Sequence, residues 1–141
     1  MRANIIQFFL RRKYILLSLL IITPIGFLCK FYMGPARNWV QNYLVGIFYE
    51  IFWSLLGFLF FSSKSSIKRI IFTVFLLTVF IEFTQLIHFS FLEWLRSYFI
   101  GRTIIGTSFS WWDFPHYLIG SVIAYILLKF LYDNSPPQFP K

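Results

Sequence analysis

Asp and Glu together number only five among 141 residues, and two of them, Glu50 and Glu82, stand within long apolar runs. A charge in such surroundings is expensive, so its presence points to function by default. Gln85 follows Glu82 by three residues, which on a helix puts the two on one face a turn apart; His88 falls on another face. Further along, Asp113, His116, Tyr117 and Gly120 recur at i, i+3, i+4 and i+7 and form a second polar stripe. An isolated carboxylate in apolar surroundings takes up a proton or finds a cation. The cations at hand are Arg96 and Arg102, with His116 a third. Three chemistries fit: a ligand pocket, a proton or ion path, and a hydrogen-bond network that only joins helices. The spacing leaves all three open. The pocket reading has Glu82 and Gln85 as floor, Arg96, Asp113 and His116 as rim, Tyr117 beside them, and Glu50 and Arg102 as further candidates.

Other chemistry finds less support. His88, His116, Asp113 and Glu93 show no metal-ligand spacing such as HExxH, so neither a metal nor a cofactor is expected. Ser108 and Ser110 lack the Gly-x-Ser-x-Gly elbow of a nucleophile. Gly101 and Gly106 do not form a phosphate loop, because no Gly-Lys-Ser/Thr follows. Two carboxylates can serve as acid and base, but a sequence does not set the separation of Glu50 and Glu82, and no catalytic residue is assigned. The one cysteine, Cys29, excludes an internal disulfide and reads as a small apolar residue near a helix end. Gly57 and Gly120 stand alone and read as points of close helix packing rather than a Gly-x-x-x-Gly pair.

The elements that would carry these residues follow from composition. Hydrophobic residues make up 58% and charged ones 13%, where a soluble domain carries about a quarter charged. Twenty Phe, eight Tyr and five Trp exceed what a small aqueous core could hide; in a bilayer they face lipid, with Trp and Tyr at the interfaces. The net charge of +8 could suggest nucleic acid, but the basic residues sit in short clusters between apolar runs, so no nucleic-acid partner is expected. Apolar runs predict helices over about 14–31, 43–61, 70–89 and 114–132, each near the ~20 residues that cross a bilayer. The first could be a secretory signal, but it continues past the usual signal core, and bulky Leu28 before Cys29 argues against a lipoprotein; a signal anchor is favoured. Glu50 and Glu82 then lie about 10 Å deep at ~1.5 Å per residue from the same membrane face.

Lys and Arg placement orients the bundle. With the N-terminus cytoplasmic, Arg2, Arg11, Arg12, Lys13, Lys64, Lys68, Arg69, Lys129 and Lys141 fall inside, and Lys30, Arg37, Arg96 and Arg102 outside. Nine against four favours both termini in the cytoplasm. Residues 91–99 place Phe91, Leu92, Trp94, Leu95, Tyr98 and Phe99 on one face, with Glu93, Arg96 and Ser97 opposite, which predicts a short amphipathic helix in the outer interface. Gly101 and Gly106 are expected at turns, Asp113 as N-cap of the last helix, and the Pro-rich 134–141 as a disordered tail. The expected fold is thus a single all-α membrane domain of four transmembrane helices and one interfacial helix.

Residues 81–120 also carry a resemblance. Ile81-Glu82-Phe83-Thr84-Gln85-Leu86, then Trp94-Leu95-Arg96, Ile104 to Asp113 and Tyr117-Leu118-Ile119-Gly120 resemble a small bacterial membrane-protein family related to the VanZ-like proteins. Its pattern is Glu-x-x-Gln, an Arg, Gly-x-x-Phe-Ser-x-x-Asp and Tyr-x-x-Gly. Family members often place an acidic residue just after a Gly, whereas here Gly46-Ile47 precedes the later Glu50. The resemblance implies four to five membrane helices and roles for Glu82, Gln85, Arg96, Asp113 and Tyr117. The link of VanZ-like proteins to teicoplanin resistance implies handling of envelope lipid or glycopeptide.

The expectation drawn from both is a multi-pass protein of the bacterial plasma membrane, a non-enzymatic binder of an envelope-lipid headgroup or similar amphiphile, with membrane lipids as partners. Two alternatives come from other classes: an interaction subunit among other membrane subunits, and a membrane enzyme or proton-coupled carrier using Glu82.

Overall fold

A computed structural model describes residues 12–134. Arg2, Arg11, Lys141 and the expected tail lie outside the described residues, except Asn134, which is still helical. Every described element is a helix: α1 Lys13–Lys30, α2 Arg37–Phe60, α3 Lys64–Thr84, α4 Ser90–Ser97, α5 Phe99–Ile105 and α6 Asp113–Asn134.

The long helices run up and down because the connections 31–36 and 61–63 are too short for anything else. Lys30, Arg37, Thr84 and Asp113 therefore gather at one end of the bundle. At the other, the Arg12 Nε donates to Ser62 Oγ at 3.1 Å, tying the start of α1 to the end of α2. α2 is the central helix, packed on α1, α3 and α6, and α3 also packs on α6. Leu55 and Phe58 of α2 and Leu128 of α6 are fully enclosed with Ala124. Gly120 is required where α6 crosses α2, since a Cβ there would lie 2.9 Å from the Ile47 carbonyl oxygen and 2.8 Å from the Glu50 Cβ.

Much of the apolar surface points outward. Leu20, Leu28, Phe72, Phe80, Ile126 and Phe130 are 61% to 70% exposed. So many exposed large apolar side chains are unlike a soluble monomer. α1, α2 and α6 are each long and apolar enough to cross a membrane. α3 has the length, 21 residues, but carries four charged side chains, Lys64, Lys68, Arg69 and Glu82.

The helix limits depart from the expected ones where polar groups intervene. α2 begins earlier, at Arg37, and passes through a wide π-type turn over Val40–Leu44. α3 begins earlier because Ser63 caps it, its Oγ accepting from Ser66 N–H at 3.2 Å. It also ends earlier, at Thr84, and residues 85–89, expected to be helical, leave the axis. The region read as one interfacial helix over 91–99 is two helices broken at Tyr98, whose backbone is extended at ψ 146°. Gly101 lies inside α5 rather than in a turn. A Cβ there would lie 1.7 Å from the Leu95 carbonyl oxygen, so only glycine lets α5 fold back against α4. Asp113 is the first residue of α6 rather than its cap.

A candidate ligand cavity at the Glu82 end of the bundle

Three segments converge on one carboxyl group. Glu82, near the end of α3, is 1% exposed. Its Oε1 accepts from the Ser110 backbone N–H at 2.9 Å; its Oε2 accepts from Gln85 Nε2 at 3.0 Å and from the Tyr117 hydroxyl at 2.9 Å. All three contacts are donations, so the group acts here as an acceptor. The amide of Gln85 packs in turn against Gly106. That residue has φ +76°, and a Cβ on it would meet Gln85 Nε2 at 2.5 Å. Glycine answers both the backbone and the contact. Behind the Ser110 turn, Phe83, Phe109, Trp111 and Phe114 pack ring to ring at 5.0 to 6.3 Å and fix the loop. The Asp113 carboxyl rests against that of Glu82, and no hydrogen bond from an N–H or hydroxyl of a described residue reaches it.

These groups line a cavity of about 670 Å³, within the size range of small-molecule sites. Glu82, Gln85, Asp113 and Tyr117 lie on its wall, and so do two cations, Lys30 at the end of α1 and Arg102 on α5. The two cations are near enough to repel one another. Neither has an ion pair among the described residues. α5 stretches over the cavity between two anchors: Phe99 stacks on Phe27 of α1 at 6.3 Å, and the Tyr49 hydroxyl of α2 donates to the Ile104 carbonyl at 2.9 Å. The π-type turn of α2 adds Gln41, Asn42 and Tyr43 to the wall, the kind of place where such turns recur.

The cluster expected from the sequence is only partly assembled here. Glu82, Gln85, Asp113, Tyr117 and Arg102 come together. Arg96 does not join them. Its guanidinium, 5% exposed, donates to the Thr84 carbonyl at 2.9 Å and the Ile87 carbonyl at 3.2 Å, closing the C-terminus of α3, and to Glu93 Oε1 at 2.8 Å. His88 and Arg96 together hold the exposed Glu93 carboxyl below its usual range. His116 turns from the cavity to stack on Tyr43 at 4.8 Å, its Nδ1 2.6 Å from the Trp112 carbonyl. Glu50 is off the cavity wall and makes no hydrogen bond to Glu82; it is fully enclosed beside the Thr78 and Ser121 hydroxyls, with Ser121 Oγ at 3.4 Å from Oε2. Among the described residues no group of three or more His, Cys, Asp or Glu converges as a metal site would require.

A sequence family described as a protein of unknown function, DUF2809, matches residues 35–121. The chain belongs to the DUF2809 family. Comparison with curated proteins and with solved structures gives no match. The DUF2809 segment runs from the approach to α2 through Ser121 and so includes Glu82, Gln85, Arg102, Gly106, Asp113 and Tyr117. Lys30 lies before it. Sequence reasoning counted Lys30 only in the charge balance and passed over the Ser110 N–H and Tyr49. A lysine at the end of the first apolar run was the available signal for one; a backbone donor leaves no signal at all.

Proposed function

We propose that this DUF2809 protein is a non-enzymatic, multi-pass protein of the bacterial plasma membrane that binds the headgroup of an envelope lipid or similar amphiphile in the cavity beneath α5. The observation that carries the reading is a pair of cations, Lys30 and Arg102, lining a largely apolar cavity without a carboxylate partner. Two like charges side by side repel, and an anionic headgroup would relieve this through charge-assisted hydrogen bonds. The apolar remainder of the wall suits glycerol and acyl carbons. The resemblance of residues 81–120 to a family related to the VanZ-like proteins supports an envelope role.

In this reading all four long helices span the bilayer, both termini are cytoplasmic and the cavity opens outward. The excess of Lys and Arg at the Arg12–Ser62 end supports that orientation. α3 can cross because Glu82 is hidden among its donors, while Lys64, Lys68 and Arg69 reach for the interface. The outward-facing Phe91, Trp94 and Tyr98 of the 89–98 segment, with Arg96 turned inward, support an interfacial placement of α4.

The test is lipid carry-over. Protein purified in mild detergent is expected to retain phospholipid at a defined ratio, and a double variant, Lys30→Gln with Arg102→Gln, to lose it several-fold. An unchanged lipid profile in a folded double variant overturns the reading.

A further inference from the structure

The cavity carries both signs of charge, and they do not cancel. Lys30 and Arg102 stand on its wall with Glu82 and Asp113, yet no ion pair links the cations to the carboxyl groups among the described residues. Opposite charges on one wall attract, and separate anchoring keeps them from pairing. That anchoring is visible. α5 is pinned through Phe99 and Ile104 to α1 and α2, and Glu82 is fixed by Ser110, Gln85 and Tyr117.

A ligand with only a negative charge would suit Lys30 and Arg102 but meet two carboxyl groups in the same space. A ligand with only a positive charge would meet the opposite conflict. Glu82 has its three donors already, whereas Asp113, laid against it, receives none from a described N–H or hydroxyl. A hydrogen bond between the two carboxyl groups takes one proton and leaves one negative charge, and no cation pairs with it among the described residues, so the carboxyl pair can take a cationic donor as the basic pair can take an anion. A primary ammonium offers three N–H donors; a quaternary ammonium offers none and is recognised by aromatic faces instead.

From this juxtaposition we infer that the ligand is a zwitterionic aminophosphate, a phosphate ester bearing a primary amine, with its phosphate at Lys30 and Arg102 and its ammonium at Asp113 and Glu82. This rests on the headgroup-binding reading and names the class of headgroup. Arg102 contributes a planar fork suited to phosphate oxygens and Lys30 a compact point charge.

Delipidated wild-type protein in detergent is titrated with phosphatidylethanolamine, phosphatidylcholine, phosphatidylglycerol and free phosphoethanolamine, and bound ligand is counted by native mass spectrometry. Phosphatidylethanolamine is expected to bind at least tenfold more tightly than the other two lipids. Asp113→Asn is expected to bring it down to the level of phosphatidylglycerol. Free phosphoethanolamine binding as tightly as the lipid identifies a soluble aminophosphate as source, and binding of the diacyl form alone identifies the membrane; both support the zwitterion. Phosphatidylglycerol binding as tightly as phosphatidylethanolamine overturns the inference and leaves the headgroup reading standing. No binding by any of the four overturns both. The wild-type comparison decides even if Asp113→Asn does not fold.

Discussion

Glu82 tolerates its position because donors reach it from three places in the chain: a side chain one turn on, a hydroxyl on α6 and a loop N–H. Gln85 was legible as a partner because helical spacing puts it on one face with Glu82; Tyr117 was legible only as a member of the Asp113–Gly120 stripe and through the resemblance. Ser110 was not, since its contribution is a main-chain N–H that any residue could supply. Removing donors one at a time should grade the loss. Tyr117→Phe takes one donor from Oε2 and leaves Gln85 there, so it should cost about 1 kcal/mol of unfolding free energy. Glu82→Gln should cost more, because its new NH2 group must face donors rather than accept from them. Denaturant titration in mixed micelles measures both; a Tyr117→Phe loss equal to that of Glu82→Gln would remove the distinction. Arg102 and Lys30 show the opposite limit of sequence reading. Their charges were evident, but which of four cations at that end faces a cavity depends on where α3 stops.

α3 stops at Thr84, although its apolar run continues through Ile87 and Phe89, and that early end relocates Arg96. Hydrophobic patterning marks where a helix could continue, not where its final carbonyls find other partners. Here the Thr84 and Ile87 carbonyls accept from one guanidinium. Arg96 is therefore a C-terminal clamp on α3 in this arrangement, and the prediction for it concerns stability. Arg96→Ala takes the guanidinium from the part-buried Thr84 and Ile87 carbonyls, although Thr84 keeps the Ile87 N–H, and should destabilise by about 1–2 kcal/mol. Arg96→Lys, which cannot span both carbonyls in one plane, should recover less than half of that. Lipid affinity per folded molecule should stay close to wild type for Arg96→Lys, measured by the same native mass spectrometry, and a large drop would return Arg96 to the binding site. The break between α4 and α5 was equally hidden, because Gly101 reads as a turn residue until the Leu95 carbonyl is seen against it.

At the scale of the molecule, the helical and apolar character was legible at once, since composition and run length alone set it. The path of the chain through a bilayer rests on charge asymmetry, and α3 is where it is most exposed to test. If α3 crosses, residues on either side of it must sit on opposite faces of the membrane. Lys64 begins α3 and is exposed, and Trp111, 69% exposed, lies in the loop before α6. In a Cys29→Ser background, Lys64→Cys should resist a membrane-impermeant maleimide in intact cells and react after permeabilisation. Trp111→Cys should react in intact cells without it. Reversal of both results would turn the cavity toward the cytoplasm, and with it the source of any headgroup. Labelling of both from one side would mean that α3 does not cross. Its Glu82, with Lys64, Lys68 and Arg69, would then be the reason, because a helix so charged gains less from the hydrocarbon than α1, α2 or α6.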